Sequence, residues 1–296
     1  MLTVGLIGAG RIGRVHASTI VQDEGSQLVA VADSVDENAK NLAKLYKVNP
    51  RSVDAIFEDN SIEAILIASS TDTHSDFIEK ASKAGKAILC EKPVDLSLAR
   101  AKRCLENTKS NEHSIMMGFN RRFDPNFVAL KNALDGGEIG TAELLSITSF
   151  DPAPPPIDYV KVSGGIFKDM MIHDFDMANF LYGELPKSVF VSASAIIDKK
   201  IGALGDYDTA VATLKYRDGR LAVIKNSRRA TYGYDQRIEV LGSKGLLQVQ
   251  NMVENCIVKS TEMGVESSKP EYFFLERYKS AYQNEWAAFV TAVKTK

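Results

Sequence analysis

VGLIGAGRIG (4–13) is an apolar run that breaks into glycines and opens onto a helical pattern. Gly8, Gly10 and Gly13 stand at the G-x-G-x-x-G spacing. Each glycine answers a physical need. The first makes a tight turn, the second lets a pyrophosphate come close, and the third lets helix pack on strand. The helix then offers free N–H groups and the positive end of its dipole to a phosphate. Alone the motif is weak, because a glycine turn also occurs in α/β proteins that hold no cofactor. Here the second apolar run, QLVAVAD (27–33), ends in Asp33, twenty residues after Gly13. An acid at that place binds the adenosine ribose hydroxyls. Ser34 and Val35 follow, with no Arg to hold a 2′-phosphate, so NAD is expected rather than NADP. Ala9, Arg11 and Ile12 complete the candidate cofactor loop.

Outward from this stretch, short apolar runs alternate with helical patterns. The runs are LTVGLIG (2–8), QLVAVAD, AILIAS (64–69), AILCEKP (87–93) and SIMMGF (114–119). Helical patterns cover 14–21, 37–46 and 73–83. Apolar strands separated by helices predict an α/β Rossmann domain, a doubly wound parallel sheet, over 1–122. The texture then changes. A helix is expected over 125–134, ended by Gly136-Gly137, and DPAPPPID (151–158) can be neither helix nor central strand. Beyond it lie SVFVSASAII (188–197), TAVATLKY (209–216), RLAVIKNSRRA (220–230), QRIEVLG (236–242) and GLLQVQN (245–251). Asp218-Gly219 and Ser243-Lys244-Gly245 read as hairpin turns between neighbours. The second domain, 123–296, is therefore expected to be α+β with a large, mainly antiparallel open sheet.

The 296 residues are 45% hydrophobic and 25% charged, which suffices for sizeable cores. Net charge is −2, which argues against a general affinity for nucleic acid or an anionic membrane. Cys90, Cys104 and Cys256 form no C-x-x-C pair and suit a reducing compartment. No apolar run reaches membrane-spanning length, and the first residues read directly as a strand rather than a leader. A cytoplasmic location is expected.

Two further stretches carry chemistry. Glu91-Lys92-Pro93 closes a strand of the nucleotide domain, and ligands of open α/β sheets bind at the carboxyl ends of strands. Lys92 can there hydrogen-bond a hydroxyl and stabilise developing alkoxide charge. A solvated lysine at a strand end is the alternative. In KDMMIHDFDMANF (168–180), His173 lies among Asp169, Asp174 and Asp176. In a regular helix Asp169 and His173 are i, i+4 neighbours. An Asp one turn from a His fixes its tautomer and raises its basicity, so that it can take a proton from a hydroxyl. A His satisfied structurally by Asp169 is one alternative. A metal site is another, but His16, His74, His113 and His173 are the only histidines and stand far apart, so no metal is expected.

GAGRIG (8–13), CEKP (90–93), GFNRRFD (118–124) and SGGIFKDMMIHDFDMANF (163–180), in this order, resemble the glucose–fructose oxidoreductase and inositol dehydrogenase family. The likeness runs over most of the chain. DPAPPPIDYV (151–160) and YGYDQRIEVLGSKG (232–245) are most similar to its inositol-oxidising members. The resemblance implies a Rossmann domain for NAD and an open-sheet domain whose face makes homo-oligomers, tetramers or dimers. It implies catalytic roles for Lys92, Asp169 and His173. His173 would be general base on the hydroxyl, with hydride passing to C4 of nicotinamide. Asp169 would orient His173 and bind substrate hydroxyls, and Lys92 would hydrogen-bond substrate.

The implied substrate is a cyclic polyol or sugar, above all myo-inositol, oxidised to scyllo-inosose. Other polyols, or a non-catalytic NAD-binding regulator on the same fold, are the alternatives. Glu91, Asn120 and His74 would lie near the cofactor, His74 otherwise being a surface residue. Arg122, Tyr232 and Tyr234 would line the substrate pocket. Arg122 could instead pair with Asp124, and the tyrosines could be core or interface residues. Two departures stand out: Phe150 occupies a place usually basic in the family, and relatives continue past AFVTAVKTK (288–296) with a further helical segment.

Overall fold

The structure, a computed structural model, describes residues 1–109 and 115–295. It forms two compact units, Met1–Phe123 with Ser280–Lys296, and Asp124–Lys279. No helix among the described residues is long and apolar enough to cross a membrane.

In the first unit the apolar runs become β1 (Leu2–Ile7), β2 (Ser26–Ala32), β3 (Asn49–Pro50), β4 (Ala64–Ile67), β5 (Ala87–Glu91) and β6 (Ile115–Gly118). All pair in parallel, in the order β3-β2-β1-β4-β5-β6. The order reverses between β1 and β4, where a doubly wound sheet opens a crevice for ligands. Ser114 and His113 lie outside the described residues. Five helices connect the strands: α1 (Arg11–Gln22), α2 (Asp36–Tyr46), α3 (Val53–Glu58), α4 (Thr71–Lys83) and α5 (Leu98–Thr108). On α1 the buried residues Gly13, His16, Ala17 and Ile20 keep the i, i+3, i+4, i+7 spacing of one helix face. Each face of the sheet has its own apolar cluster, one around Val4, Leu6, Leu28 and Leu66, the other around Ile7, Ile65, Ile67 and Ile88. Burial on both faces is why these strands read as unbroken apolar runs.

One boundary differs from expectation. The second domain was expected to run to 296, but the C-terminal helix (Lys279–Lys294) joins the first unit from Ser280 onward. Trp286, Phe289 and Val290 complete the cluster around Val4 and Leu6. A helical pattern shows which face is apolar but not which core receives it.

The second unit holds α6 (Pro125–Asp135), β7 (Ala142–Phe150), α7 (Ile157–Ser163) and a π-helical turn (Ile166–Met171) that runs into α8 (Ile172–Tyr182). Then come β8 (Ser188–Ser194), α9 (Lys199–Ala203), β9 (Thr209–Lys215), β10 (Leu221–Ser227), β11 (Asp235–Gly242) and β12 (Gly245–Val249). The sheet order is β12-β11-β7-β10-β9-β8. Both expected hairpins form: β9 with β10 around Gly219, at φ +98°, and β11 with β12 across Ser243-Lys244. The pairing is antiparallel except for β7 with β10, which is parallel. Sequence periodicity did not reveal β7, although it lies at the centre of the sheet. One face is buried, as the alternation along β11 from Gln236 to Gly242 shows. The other exposes Phe190, Val211, Leu221, Leu241 and Leu246. A separate hairpin, β13 (Val258–Thr261) with β14 (Gly264–Ser267), and a helical turn (Phe274–Arg277) complete the unit.

Candidate active site

The glycine loop leaves β1 along a backbone that side chains would block. Gly8 has φ +103°, and a Cβ there would meet Ala68 O at 2.3 Å. A Cβ on Gly13 would meet Gly8 O at 1.9 Å, so the first turn of α1 can sit on the loop only because both are glycine. At Gly10 the reverse holds: a Cβ would meet nothing within 4 Å. Gly10 is exposed, heads α1 with no side-chain cap, and the first turn carries no acid. Open space before uncapped N–H groups fits a pyrophosphate. Ala9 N–H donates to Asp33 Oδ2 at 2.6 Å, and Val35 N–H donates to Oδ1 at 2.8 Å. Asp33 thus ties β2 to the glycine loop, and its half-exposed carboxylate retains lone pairs for ribose hydroxyls.

Lys92 follows β5 and is half-buried, whereas its neighbours turn inward. Glu91 Oε1 lies 2.8 Å from His16 Nε2 on α1, and both side chains are buried. His74 is no surface residue. Its Nδ1 is 2.8 Å from Pro93 O and its Nε2 3.1 Å from Ser69 O, so its ring joins α4 to the turns after β4 and β5. Glu91 and His74 therefore shape the two turns that carry Ser69 and Lys92. Asn120 is buried in a 3-10 turn (Asn120–Phe123), and the Arg122 guanidinium lies 6.0 Å from the Phe119 ring.

In the second unit, Gly164 and Gly165 adopt φ +86° and +75° and turn the chain into the π-helical segment. A Cβ on Gly165 would meet Asp206 Oδ1 at 2.3 Å, the atom that accepts from Ile166 N–H at 3.0 Å. Asp169 lies in the π turn and His173 in the first turn of α8. Bonding over 166–171 runs i to i+5, so the i, i+4 stacking expected for one regular helix does not carry over unchanged.

The Asp169 carboxylate is held on both oxygens. Tyr159 Oη donates to Oδ1 at 2.8 Å, and Arg228 Nη2 donates to Oδ2 at 3.0 Å. Arg228 Nη1 reaches Asp151 Oδ2 at 3.1 Å. Next in the chain after His173, Asp174 is fully buried and accepts from Ser149 Oγ at 2.6 Å and Asn226 Nδ2 at 2.7 Å. That network anchors the start of α8 to β7 and β10.

Sequence reasoning singled out neither Tyr159, Asp151 nor Arg228. Tyr159 and Asp151 flank the proline run, and that position was their only signal. The tyrosines it did single out separate. Tyr234 is buried edge-on to Phe273 and Tyr278, as a core residue. Tyr232 is half exposed, and its hydroxyl donates to Asp235 Oδ2 at 2.6 Å. Burial, then the Asp235 hydrogen bond, pushes its pKa up to about 12. Asp124 caps α6 and pairs with Arg277. Phe150 ends β7 opposite Asp235 and Ser227.

A parallel doubly wound sheet with an open glycine loop is the architecture of a nucleotide-dependent oxidoreductase, and the second unit holds a carboxylate on both oxygens four residues before a histidine. Residues 2–119 match the oxidoreductase family, NAD-binding Rossmann fold, and residues 127–248 match the GFO/IDH/MocA C-terminal domain. An inositol 2-dehydrogenase of Rhizobium meliloti (strain 1021) is 49% identical over 98% of this chain and 88% of its own length. A myo-inositol 2-dehydrogenase of Thermotoga maritima is 46% identical over 99% of this chain and 89% of its own. A crystal structure from Sinorhizobium meliloti 1021 superposes with a TM-score of 0.97 at 49% identity, covering 99% of this chain and 89% of that one. A myo-inositol dehydrogenase of Lactobacillus casei, in complex with NAD(H) and myo-inositol, superposes with a TM-score of 0.89 at 26% identity, covering 100% and 87%. The chain belongs to the GFO/IDH/MocA oxidoreductase family, and NAD is its cofactor.

Proposed function

We propose that this protein oxidises a secondary alcohol of a cyclic polyol with NAD, converting myo-inositol to scyllo-inosose. The observation that carries the reading is Asp169, ionically held by Arg228 and capped by Tyr159, four residues before His173. The two relatives at 49% and 46% identity support the substrate. Bound NAD supplies the hydride acceptor at nicotinamide C4. His173 takes the hydroxyl proton as the carbinol carbon gives up its hydride, so the alcohol leaves as a ketone and one proton. Asp169 accepts from a substrate hydroxyl and favours the imidazole tautomer that can receive the proton. Lys92 donates to the reacting oxygen and stabilises its developing charge.

The test is NADH formation with a panel of cyclic polyols and sugars, offered NAD and NADP in parallel. Turnover with myo-inositol and NAD is expected. Turnover confined to another polyol would retain the chemistry and move the specificity, with Phe150 as the first residue to exchange. Tight NAD binding without any turnover would favour a regulator. His173→Asn should lower turnover about 100- to 10,000-fold with NAD affinity retained, and unchanged turnover would remove the proposed base. The reading includes a cytoplasmic location and a homo-oligomer, tetramer or dimer. The open sheet face bearing Phe190 and Val211 supports association, and light scattering on the purified chain decides it.

A further inference from the structure

We propose that Arg228 is a positioning residue for the proposed alcohol-binding carboxylate, holding Asp151 and Asp169 on one guanidinium so that Asp169 can accept from a substrate hydroxyl. The inference rests on the function proposed above and deepens it.

Arg228 directly follows β10 and is 5% exposed. Its two carboxylate partners come from different elements, Asp151 from the end of β7 and Asp169 from the π turn. The backbone around it is fixed on three sides. Asp151 N–H donates to Ser227 O at 2.9 Å, Ala230 N–H to Asp151 O at 2.7 Å, and Arg228 N–H to Asp208 O at 2.8 Å. The Asp208 carboxylate is itself spent on the N–H groups of Ile196, Ile197 and Asp198. Asp151 and Asp169 are thus the carboxylates that share the guanidinium. Burial alone would lower the pKa of Arg228, but attraction to the two carboxylates outweighs it and leaves the pKa raised.

A planar guanidinium offers donors in two directions at fixed angles, which the point charge of a lysine does not. One cation between two carboxylates also lets both stay ionised. Without it, repulsion between the two like charges favours a proton on one of them. A protonated or rotated Asp169 could neither accept from a hydroxyl in the same way nor orient the imidazole. Tyr159 holds the other Asp169 oxygen, so loss of Arg228 would remove the hold on Oδ2 and let the carboxylate turn about its Tyr159 contact.

The experiment compares Arg228→Gln and Arg228→Lys with the parent chain, at saturating NAD and varied myo-inositol. For Arg228→Gln, kcat/KM should fall about 100-fold, as expected for two charge-assisted hydrogen bonds lost. The Kd for NAD should stay within about twofold, because Arg228 belongs to the other unit. Arg228→Lys restores one direction of the clamp and should recover roughly tenfold. A second readout needs no substrate. Carboxyl carbon NMR, assigned with Asp169→Asn, should show Asp169 titrating about one pH unit or more higher in Arg228→Gln than in the parent. A folded Arg228→Gln chain with parental kcat/KM and parental Asp169 titration overturns the proposal. If Arg228→Gln does not fold, Arg228→Lys carries both measurements. If the parent turns over no polyol, the proposed function fails, and the Asp169 titration still decides Arg228.

Discussion

The amide of Ala9 donates to the carboxylate of Asp33 across 2.6 Å, joining the glycine loop after β1 to the end of β2. The acid proposed to read the ribose thus also sets the glycine loop proposed to receive the pyrophosphate. Asp33→Ala should therefore lose both contributions. Charge-assisted bonds of about 1.5–3 kcal/mol imply that the KM for NAD rises about 10- to 100-fold. NADP should gain in relative terms, because the anion opposing its 2′-phosphate is gone. Initial rates at varied NAD and NADP check this. An unchanged NAD to NADP ratio would remove Asp33 from cofactor choice.

Trp286 on the C-terminal helix donates its indole N–H to Ser26 Oγ at 2.8 Å, and its ring lies 5.2 Å from Phe289 within the core of the first unit. Trp286→Ala opens a cavity beneath β1 and β2 and should cost about 3–5 kcal/mol. Trp286→Phe should cost less, since most of the apolar contact remains. Urea midpoints for the three chains give the order. If Trp286→Ala unfolds at the parental midpoint, the C-terminal helix adds no stability to the first unit.

The alternation of apolar runs and helical patterns made the parallel sheet legible, and the spacing from Gly13 to Asp33 made the cofactor loop legible. Both signals are local. β7 escaped because its nine residues mix Leu144, Leu145 and Ile147 with Ser146, Thr148 and Ser149, the last bonded inside a polar network. Arg228 escaped for a different reason. Its partners lie 77 and 59 residues away, and only the sheet brings them together. His74 could be read as a histidine near a cofactor loop, but the carbonyls it holds cannot be read from any spacing. The π turn is similarly hidden, since KDMMIHDFDMANF has the composition of an ordinary helix. Residue types and order were visible, whereas the partners that position them are set by tertiary packing.

Glu285 is fully buried, and among the described residues neither carboxyl oxygen has a hydrogen-bond partner. Burial first, and the charge of Glu91 second, push its pKa well above the usual carboxylate range. The folded chain thus keeps a proton that the unfolded chain has released. Its stabilising contribution is complete below about 4.5 and is lost as pH rises toward the folded value. Glu285→Gln stays neutral at every pH. It should therefore gain on the parent as pH rises, by at most about 1.4 kcal/mol per pH unit. Urea unfolding of both chains across the acid-to-neutral range tests this. Parallel stability curves would mean that Glu285 titrates alike in both states.

Asp124 and Arg277 form an ion pair whose side chains are each 2% exposed. Asp124 also caps α6, accepting from Asn126 N–H at 3.0 Å and Phe127 N–H at 3.2 Å. The guanidinium centre lies 5.4 Å from the Phe127 ring and 4.8 Å from the Tyr278 ring. Asp124→Ala strands a buried cation and removes the cap, so a loss of about 3–5 kcal/mol is expected. Arg277→Met strands the carboxylate instead, although the cap N–H groups still hold it, and should cost less. The double variant leaves no buried charge and should be more stable than Asp124→Ala alone, because the desolvation penalty of the guanidinium is removed with it. A double-mutant cycle in urea measures the coupling. If the two losses simply add, the pair contributes through packing and capping and not through its charges.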